Sequence, residues 1–429
     1  MISLSKRFMP ALLAAFLLLP LPAAGGIAGV QDYFFDRFDT DLHGFIEARG
    51  GLRLDREEDQ RDASIGEARL QLDFSRWLGD GELRLKTDLL ADGVMEELRF
   101  ELREANYDFS PHPDLDVRLG RQVLTWGTGD LLFINDVFAK DWESFFIGRD
   151  DEYLKKASDA VRLGIFAGPV NLDLVYVPLV THSNYIDGSR LSYWHGGQQR
   201  IAGRDQIARD KSRNRVFRDS ETALRLYRQQ GSIEYALYGY YGFWSTPEGM
   251  DPDSGRLIYP RLGVYGASVR GPLLGGISNL EVGYYHSLDD TSGRDPLIRN
   301  SEWRLLAGHE RELARDLTAG LQYYLERKVQ YNNYLASLPP GAPAADHNRH
   351  LLTLRLTRLL LQQNLTLSLF VYWSPSDQDG HLRPKANYKI SDQLAVEAGA
   401  NLFRGSRDHT FWGQFEDNSN VYLGLRRTF

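Results

Sequence analysis

Glu67-Ala68-Arg69-Leu70-Gln71-Leu72-Asp73-Phe74 alternates charged or polar residues with apolar ones at every step. A helix would scatter that period around its circumference, whereas a strand sends one set to each face. The next segment repeats it, with Glu82, Arg84, Lys86 and Asp88 interleaved with Leu83, Leu85 and Leu89. Later examples are Leu317-Ala319-Leu321-Tyr323-Leu325, Leu365-Leu367-Leu369-Val371-Trp373 and Leu394-Val396-Ala398-Ala400-Leu402.

Eighteen such segments are marked, at 44–54, 64–76, 81–91, 98–109, 114–125, 159–167, 169–179, 220–229 and 232–244, then 260–270, 276–287, 301–310, 315–327, 348–359, 362–373, 380–390, 393–404 and 419–429. Each has roughly the length that crosses a bilayer at a tilt. Connections after even segments are short, such as Leu78-Gly79-Asp80, Ser110-Pro111-His112-Pro113 and Gly271-Pro272-Leu273-Leu274-Gly275. Those after odd segments are mostly long, including about 126–158, 180–219, 245–259, 328–347 and 405–418. Short turns on the periplasmic side and longer loops outside are the signature of an all-β, transmembrane antiparallel β-barrel of about 18 strands. In hydrocarbon an edge strand would leave its backbone groups unpaired, so the last strand must close on the first, near Phe45–Arg49.

Composition agrees. The mean hydropathy of -0.39 resembles that of a water-soluble chain, but a membrane barrel cancels its own average by facing lipid and water in turn. The 22 Tyr, 21 Phe and 8 Trp suit strands and interfacial girdles. The net charge of -8 says little about partners. Lys6 and Arg7, the apolar Phe8–Leu19 and the small residues Ala23–Ala28 read as a signal peptide over 1–28. Residues 29–43 then form a short periplasmic segment, too small for a folded plug, and the barrel occupies 44–429. With no Cys, lipidation, disulfides and thiolate sites are excluded. In the fourth segment Leu98, Phe100 and Leu102 share one parity while Ala105, Tyr107 and Phe109 take the other. Either a β-bulge near Arg103 reconciles them or Leu102 faces the bore.

The chain closes on Val421-Tyr422-Leu423-Gly424-Leu425-Arg426-Arg427-Thr428-Phe429. A final strand ending in Phe after alternating apolar residues resembles that of bacterial outer-membrane barrels, which implies recognition by the barrel-assembly machinery. Arg427 departs from the pattern by standing at an apolar position, from which it can reach lipid headgroups. Arg118-Leu119-Gly120-Arg121-Gln122, followed by Trp126-Gly127 and a long insertion, resembles the strand–loop unit of porin-like proteins related to alginate exporters and to an uncharacterised outer-membrane family. The resemblance covers about 115–165 and is architectural elsewhere. It implies an eighteen-stranded barrel and a passive route for a small or polymeric solute. Alginate exporters line their bore with a strong basic excess, from which this chain departs.

The insertion after strand 5 is too apolar for a solvated loop, with Leu131-Leu132-Phe133-Ile134 and Phe145-Phe146 among its residues. Folded into the barrel, it would hold Asp130, Asn135, Asp136, Asp141, Trp142, Arg149, Asp150, Asp151 and Glu152 at a constriction; packed over the mouth, it would be a lid. Parity places Arg69, Arg84, Lys86, Arg99, Arg118, Arg162, Arg225, Arg304, Arg355, Arg383, Lys385 and Lys389 in the lumen. Glu67, Asp73, Glu82, Asp88, Glu101, Glu234, Glu302, Glu326 and Glu397 share it. Mixed signs suit a hydrated pore for polar solutes, or ladders that brace the wall.

The loop at about 180–219 carries eight basic residues, Arg190, Arg200, Arg204, Arg209, Lys211, Arg213, Arg215 and Arg218, against Asp187, Asp205 and Asp210. Such an excess gathers anionic solute or binds lipopolysaccharide phosphates; nucleic acid is no partner for a surface loop. The ten His form no i,i+4 metal pair, and no nucleophile stands out beside a base. The expectation is a bacterial outer-membrane channel without enzymatic activity, metal or cofactor. It would pass polar solutes, anions or saccharides among them, by diffusion or export. The alternative is a loop-plugged structural or adhesive barrel that binds surface lipid or a partner protein.

Overall fold

A computed structural model of the protein describes residues 24–166 and 168–429. Eighteen strands build one sheet. The first nine are β1 (Asp41–Arg53), β2 (Ala63–Leu78), β3 (Gly81–Asp92), β4 (Glu97–His112), β5 (Leu115–Val123), β6 (Ala157–Ile165), β7 (Asn171–Val177), β8 (Glu221–Gln230) and β9 (Ile233–Phe243). The second nine are β10 (Arg261–Leu273), β11 (Gly276–Ser287), β12 (Glu302–Ala314), β13 (Leu317–Lys328), β14 (Asn348–Leu360), β15 (Leu365–Ser374), β16 (Asp379–Lys389), β17 (Leu394–Gly405) and β18 (Asn420–Thr428). Each pairs antiparallel with its neighbours in sequence. The sheet closes where β1 meets β18, with Phe45 opposite Thr428 and Arg49 opposite Gly424.

Every expected segment is a strand, and connections after odd strands are the longer ones except after β3 and β15, where residues 93–96 and 375–378 make turns as short as those after even strands. Two strands run further than their prolines suggest. β4 continues through Pro111 to His112, and β10 through Pro272 to Leu273. A missing N–H is tolerated in the last rungs before a hairpin. On β3 and β4, Lys86 faces Glu104 while Thr87 faces Leu102, so Arg103 is the extra residue of a bulge. The bulge keeps Leu102 and Ala105 both outward and frees Arg103 to turn inward over the Tyr153 ring, 4.5 Å away.

The expected signal segment lies almost wholly outside the described residues. From within its last residues onward the chain forms a helix the sequence reading does not assign, α1 (Ala24–Phe38). Phe34 of α1 meets outward-facing Phe74 at 5.5 Å between centroids, and Gln31 donates to the Leu42 carbonyl at 2.8 Å.

Burial is inverted relative to a water-soluble domain. Leu237, Leu280, Leu321 and Leu423 are more than half exposed on the outer face, while Glu67, Arg69 and Asp88 are buried inside. A continuous apolar outer wall has no place in water, and a closed sheet that satisfies its own backbone is what a bilayer admits. This is a transmembrane β-barrel.

Candidate functional site in the bore

The chain leaves the wall at Val123 and rejoins it at Ala157. Between them its apolar residues turn away from water into the barrel. Ile134, Phe138, Phe145, Phe146 and Ile147 join one buried cluster with Tyr240 of β9, Leu262 of β10, Tyr285 of β11, Leu306 of β12, Phe370 of β15, Phe403 of β17 and Tyr422 of β18. A helix, α2 (Trp142–Ile147), carries most of the aromatic contacts. Asp141 caps its start by accepting from the Ser144 N–H at 2.9 Å. Gly148 ends it at φ 87°. Any side chain there would collide with the Tyr422 ring, so glycine lets the loop approach the wall.

The loop is fastened on both sides. On β11, the Glu281 carboxylate accepts from the backbone of Thr128, Gly129 (3.0 Å) and Asn135 (3.3 Å), and from the Asn135 amide (3.1 Å). On β13, Gln322 accepts from the Asp130 N–H and donates to its carbonyl, each at 2.8 Å. Across the barrel, Arg49 of β1 donates to the Gly148 carbonyl at 2.6 Å, and Glu67 of β2 accepts from Arg149 at 3.0 Å. Glu281 and Glu67 stand on strands nine apart in a closed sheet of eighteen, half its circumference. The loop therefore spans the bore.

The nine loop residues singled out in the sequence fall into two groups. Asn135, Asp136 and Arg149 are buried. Asp136 is paired with Lys140 at 2.9 Å, and Asp141 is held by its cap and by the Asn184 amide at 2.9 Å. These shape the loop rather than a water-filled path. Trp142 borders a cavity on the outer side. Asp130, Asp150, Asp151 and Glu152 keep contact with open space. Asp130 pairs with Arg355 of β14 at 2.6 Å. Asp151 pairs with Arg383 (3.1 Å) and Lys385 (3.6 Å) of β16. Asp150 pairs with Arg426 of β18 at 3.2 Å, and the Glu152 carbonyl accepts from Arg103 at 3.2 Å. Side-chain exposures of 39% for Asp130 and 40% for Asp151 mark where the loop edge stays wet.

The lumen residues predicted by parity all face inward, and each of the first eleven meets a carboxylate. Arg69 pairs with Asp88 (2.5 Å), Arg84 and Lys86 with Asp73 (2.7 and 3.3 Å), and Arg99 with Glu97 (2.9 Å). Arg118 pairs with Asp108, Arg162 with Asp173 (3.2 Å), Arg225 with Glu234 (2.8 Å) and Arg304 with Glu302. Arg355, Arg383 and Lys385 pair with the loop as above, whereas Lys389, nearest the short turns, forms no ion pair among the described residues. In one buried network Glu67, Asp88, Asp92 and Glu143 surround Arg69, Arg149 and Arg190. Arg190 belongs to the loop read as a basic surface. Its side chain is wholly buried, paired with Asp92 and, at 3.0 Å, with Glu143. It is not available to lipopolysaccharide or solute, because its stem reaches through the mouth into the network.

Outside the loop lies a cavity of about 740 Å³. Leu131, Phe133, Trp142 and Phe145 form its floor, and Trp244, Tyr285, Tyr372 and Trp412 its walls. One side is charged. Arg299 bridges Glu248 (3.0 Å), Glu302 (3.1 Å) and Glu326 (3.1 Å), and Arg349 pairs with Asp377 (2.6 Å). Neither arginine was singled out from the sequence. Arg349 shares the parity of Arg355 on β14 and could have been, whereas Arg299 sits in a loop and gives no such sign.

The architecture matches solved outer-membrane barrels. Pseudomonas aeruginosa OccK11 (OpdR) superposes with a TM-score of 0.54 at 11% identity, covering 91% of this chain and 96% of that one. Acinetobacter baumannii OccAB4 gives 0.54 at 10% identity, covering 91% and 98%. OccAB1 of the same organism gives 0.53 at 10%, covering 91% and 97%. Identities this low speak to the fold alone: the eighteen-stranded porin barrel. No protein-family model matches the chain, and no curated protein sequence does.

Proposed function

We propose that this barrel is a passive channel for polar solutes, anions or saccharides among them. The supporting observation is the half-exposed seam where Asp130 and Asp151 of the loop face Arg355, Arg383 and Lys385 of the wall. Paired charges at a wet constriction reward solutes that exchange hydration for polar contacts and exclude apolar ones. The aromatic and charged cavity outside serves as an antechamber. The narrower kinship with alginate exporters, docking of lipopolysaccharide on the outer loops and delivery by the assembly machinery through Phe429 belong to this proposal.

A second reading has its own support. The apolar cluster joining loop and wall is continuous, as in a barrel plugged by its own loop. Planar-bilayer recordings separate the two. A channel gives ohmic steps, and replacing 130–150 by a short Gly-Ser linker should raise their conductance several-fold. No steps from a folded, heat-modifiable protein would favour the plug. Unchanged conductance after shortening would overturn the constriction.

A further inference from the structure

The outer wall carries few charges, and five of them share a level. Arg76 of β2, Arg228 of β8, Arg311 of β12, Arg358 of β14 and Arg427 of β18 have the parity of the lipid-facing leucines. Each lies within three residues of its strand's short-turn end. The residues facing them across the sheet are apolar or aromatic: Leu83, Tyr235, Ala319, Leu317 and Leu367, and Leu394 and Ile46 respectively. None of the five forms an ion pair with a carboxylate among the described residues, whereas eleven of the twelve bore cations named above do, Lys389 at the short-turn end being the exception. Arg358 donates to the Arg315 carbonyl at 2.7 Å. The long-loop rim is mixed: Arg121 and Arg404 pair there with Asp159 and Glu416, while Arg261 and Arg327 form no ion pair among the described residues.

An unpaired guanidinium is costly against acyl chains and tolerated near the membrane surface. Set between leucines at the edge of the apolar band, it stands where acyl chains end and phosphates begin. Its planar fork of N–H donors fits two phosphate oxygens at once. Arg427, which departs from the usual terminal-strand pattern, is thus one member of a set. We propose that these five arginines form a collar that binds the phosphates of anionic phospholipids in the periplasmic leaflet. The leucines beside each arginine hold the acyl chains, which distinguishes the site from one for a free anion.

The test is native mass spectrometry of the full chain in detergent, offered equimolar phosphatidylglycerol and phosphatidylethanolamine. The wild type should retain phosphatidylglycerol in several-fold excess. The R76Q/R228Q/R311Q/R358Q/R427Q variant, verified as folded by heat-modifiability, should lose that preference. The R311Q/R358Q pair should lose part of it and serves if the full set fails to fold. Inorganic phosphate at the same concentration should not displace the lipid. Equal retention of both lipids by the wild type, an undiminished preference in the variants, or displacement by phosphate would each overturn the collar.

Discussion

Two long loops leave neighbouring hairpins at the same end of the barrel and go opposite ways. Residues 124–156 turn into the bore, where they bond to strands. Residues 178–220 stay at the mouth and bond largely to other loops: Asn418 donates to Ser192 at 2.9 Å, Gln60 to the Gly188 carbonyl at 2.8 Å, and Lys211 pairs with Asp251 at 3.0 Å. Their apolar content decides the direction, because Leu131–Ile134 and Phe145–Ile147 gain by leaving water while the arginines of the outer loop do not. The two meet where Asn184 donates to Asp141 at 2.9 Å and where Arg190 pairs with Glu143 at 3.0 Å, contacts that lock the outer loop to the inner one.

If the inner loop is held by buried charge and the outer by exposed charge, Glu67→Ala should have the largest effect. It strips Arg149 of its nearest carboxylate inside the bore and should cost about 3 kcal/mol, read from guanidinium unfolding in micelles. Lys211→Ala, which breaks the exposed pair of the outer loop with Asp251, should leave stability nearly unchanged. Equal losses would erase the distinction between the loops.

Asp151→Asn sharpens the comparison at the wet edge. Arg383 and Lys385 would lose the loop carboxylate, and permeability should shift toward chloride on the order of threefold, measured as the reversal potential in a KCl gradient. No shift would place the solute path away from this seam.

The smallest effect concerns the outer loop. His182 stacks on Tyr259 with ring centroids 3.6 Å apart, and its Nε2 accepts from the Arg213 N–H at 3.2 Å. Burial pushes its pKa down to about 4 from an ordinary 6.5; Asp210 opposes the shift, and Lys156 and Arg213 add to it. Below pH 6.5 the disordered loop takes up a proton that the ordered loop refuses, so order weakens as pH falls toward 4 and then levels off. Limited proteolysis within 178–220 should quicken severalfold over that window. His182→Phe, which keeps a ring but no titrating nitrogen, should remove the dependence; a persistent dependence would assign it elsewhere.

Strands were legible because each contacts two solvents, and alternation such as that of Glu67–Phe74 writes both into the chain. The bulge at Arg103 announced itself as a change of phase. The bore was less legible. Which loop acids stay wet depends on contacts with Glu281 and Gln322, more than a hundred residues away, and no local pattern encodes that. Arg190 resembles its basic neighbours until the fold brings Asp92 beside it. Parity likewise identified inward arginines without naming partners, since the partner stands on another strand or on the loop.

The seam between β1 and β18 has one more consequence. Gly44 and Phe429 exchange two backbone hydrogen bonds of 3.0 Å, and Arg426 reaches Glu47 across a separation of 379 residues. The ring is thus sealed by the two strands that stand furthest apart in the sequence order of the sheet. A sheet lacking either one would keep two raw edges in lipid with nothing to match them, so no partial set of strands makes a stable cylinder.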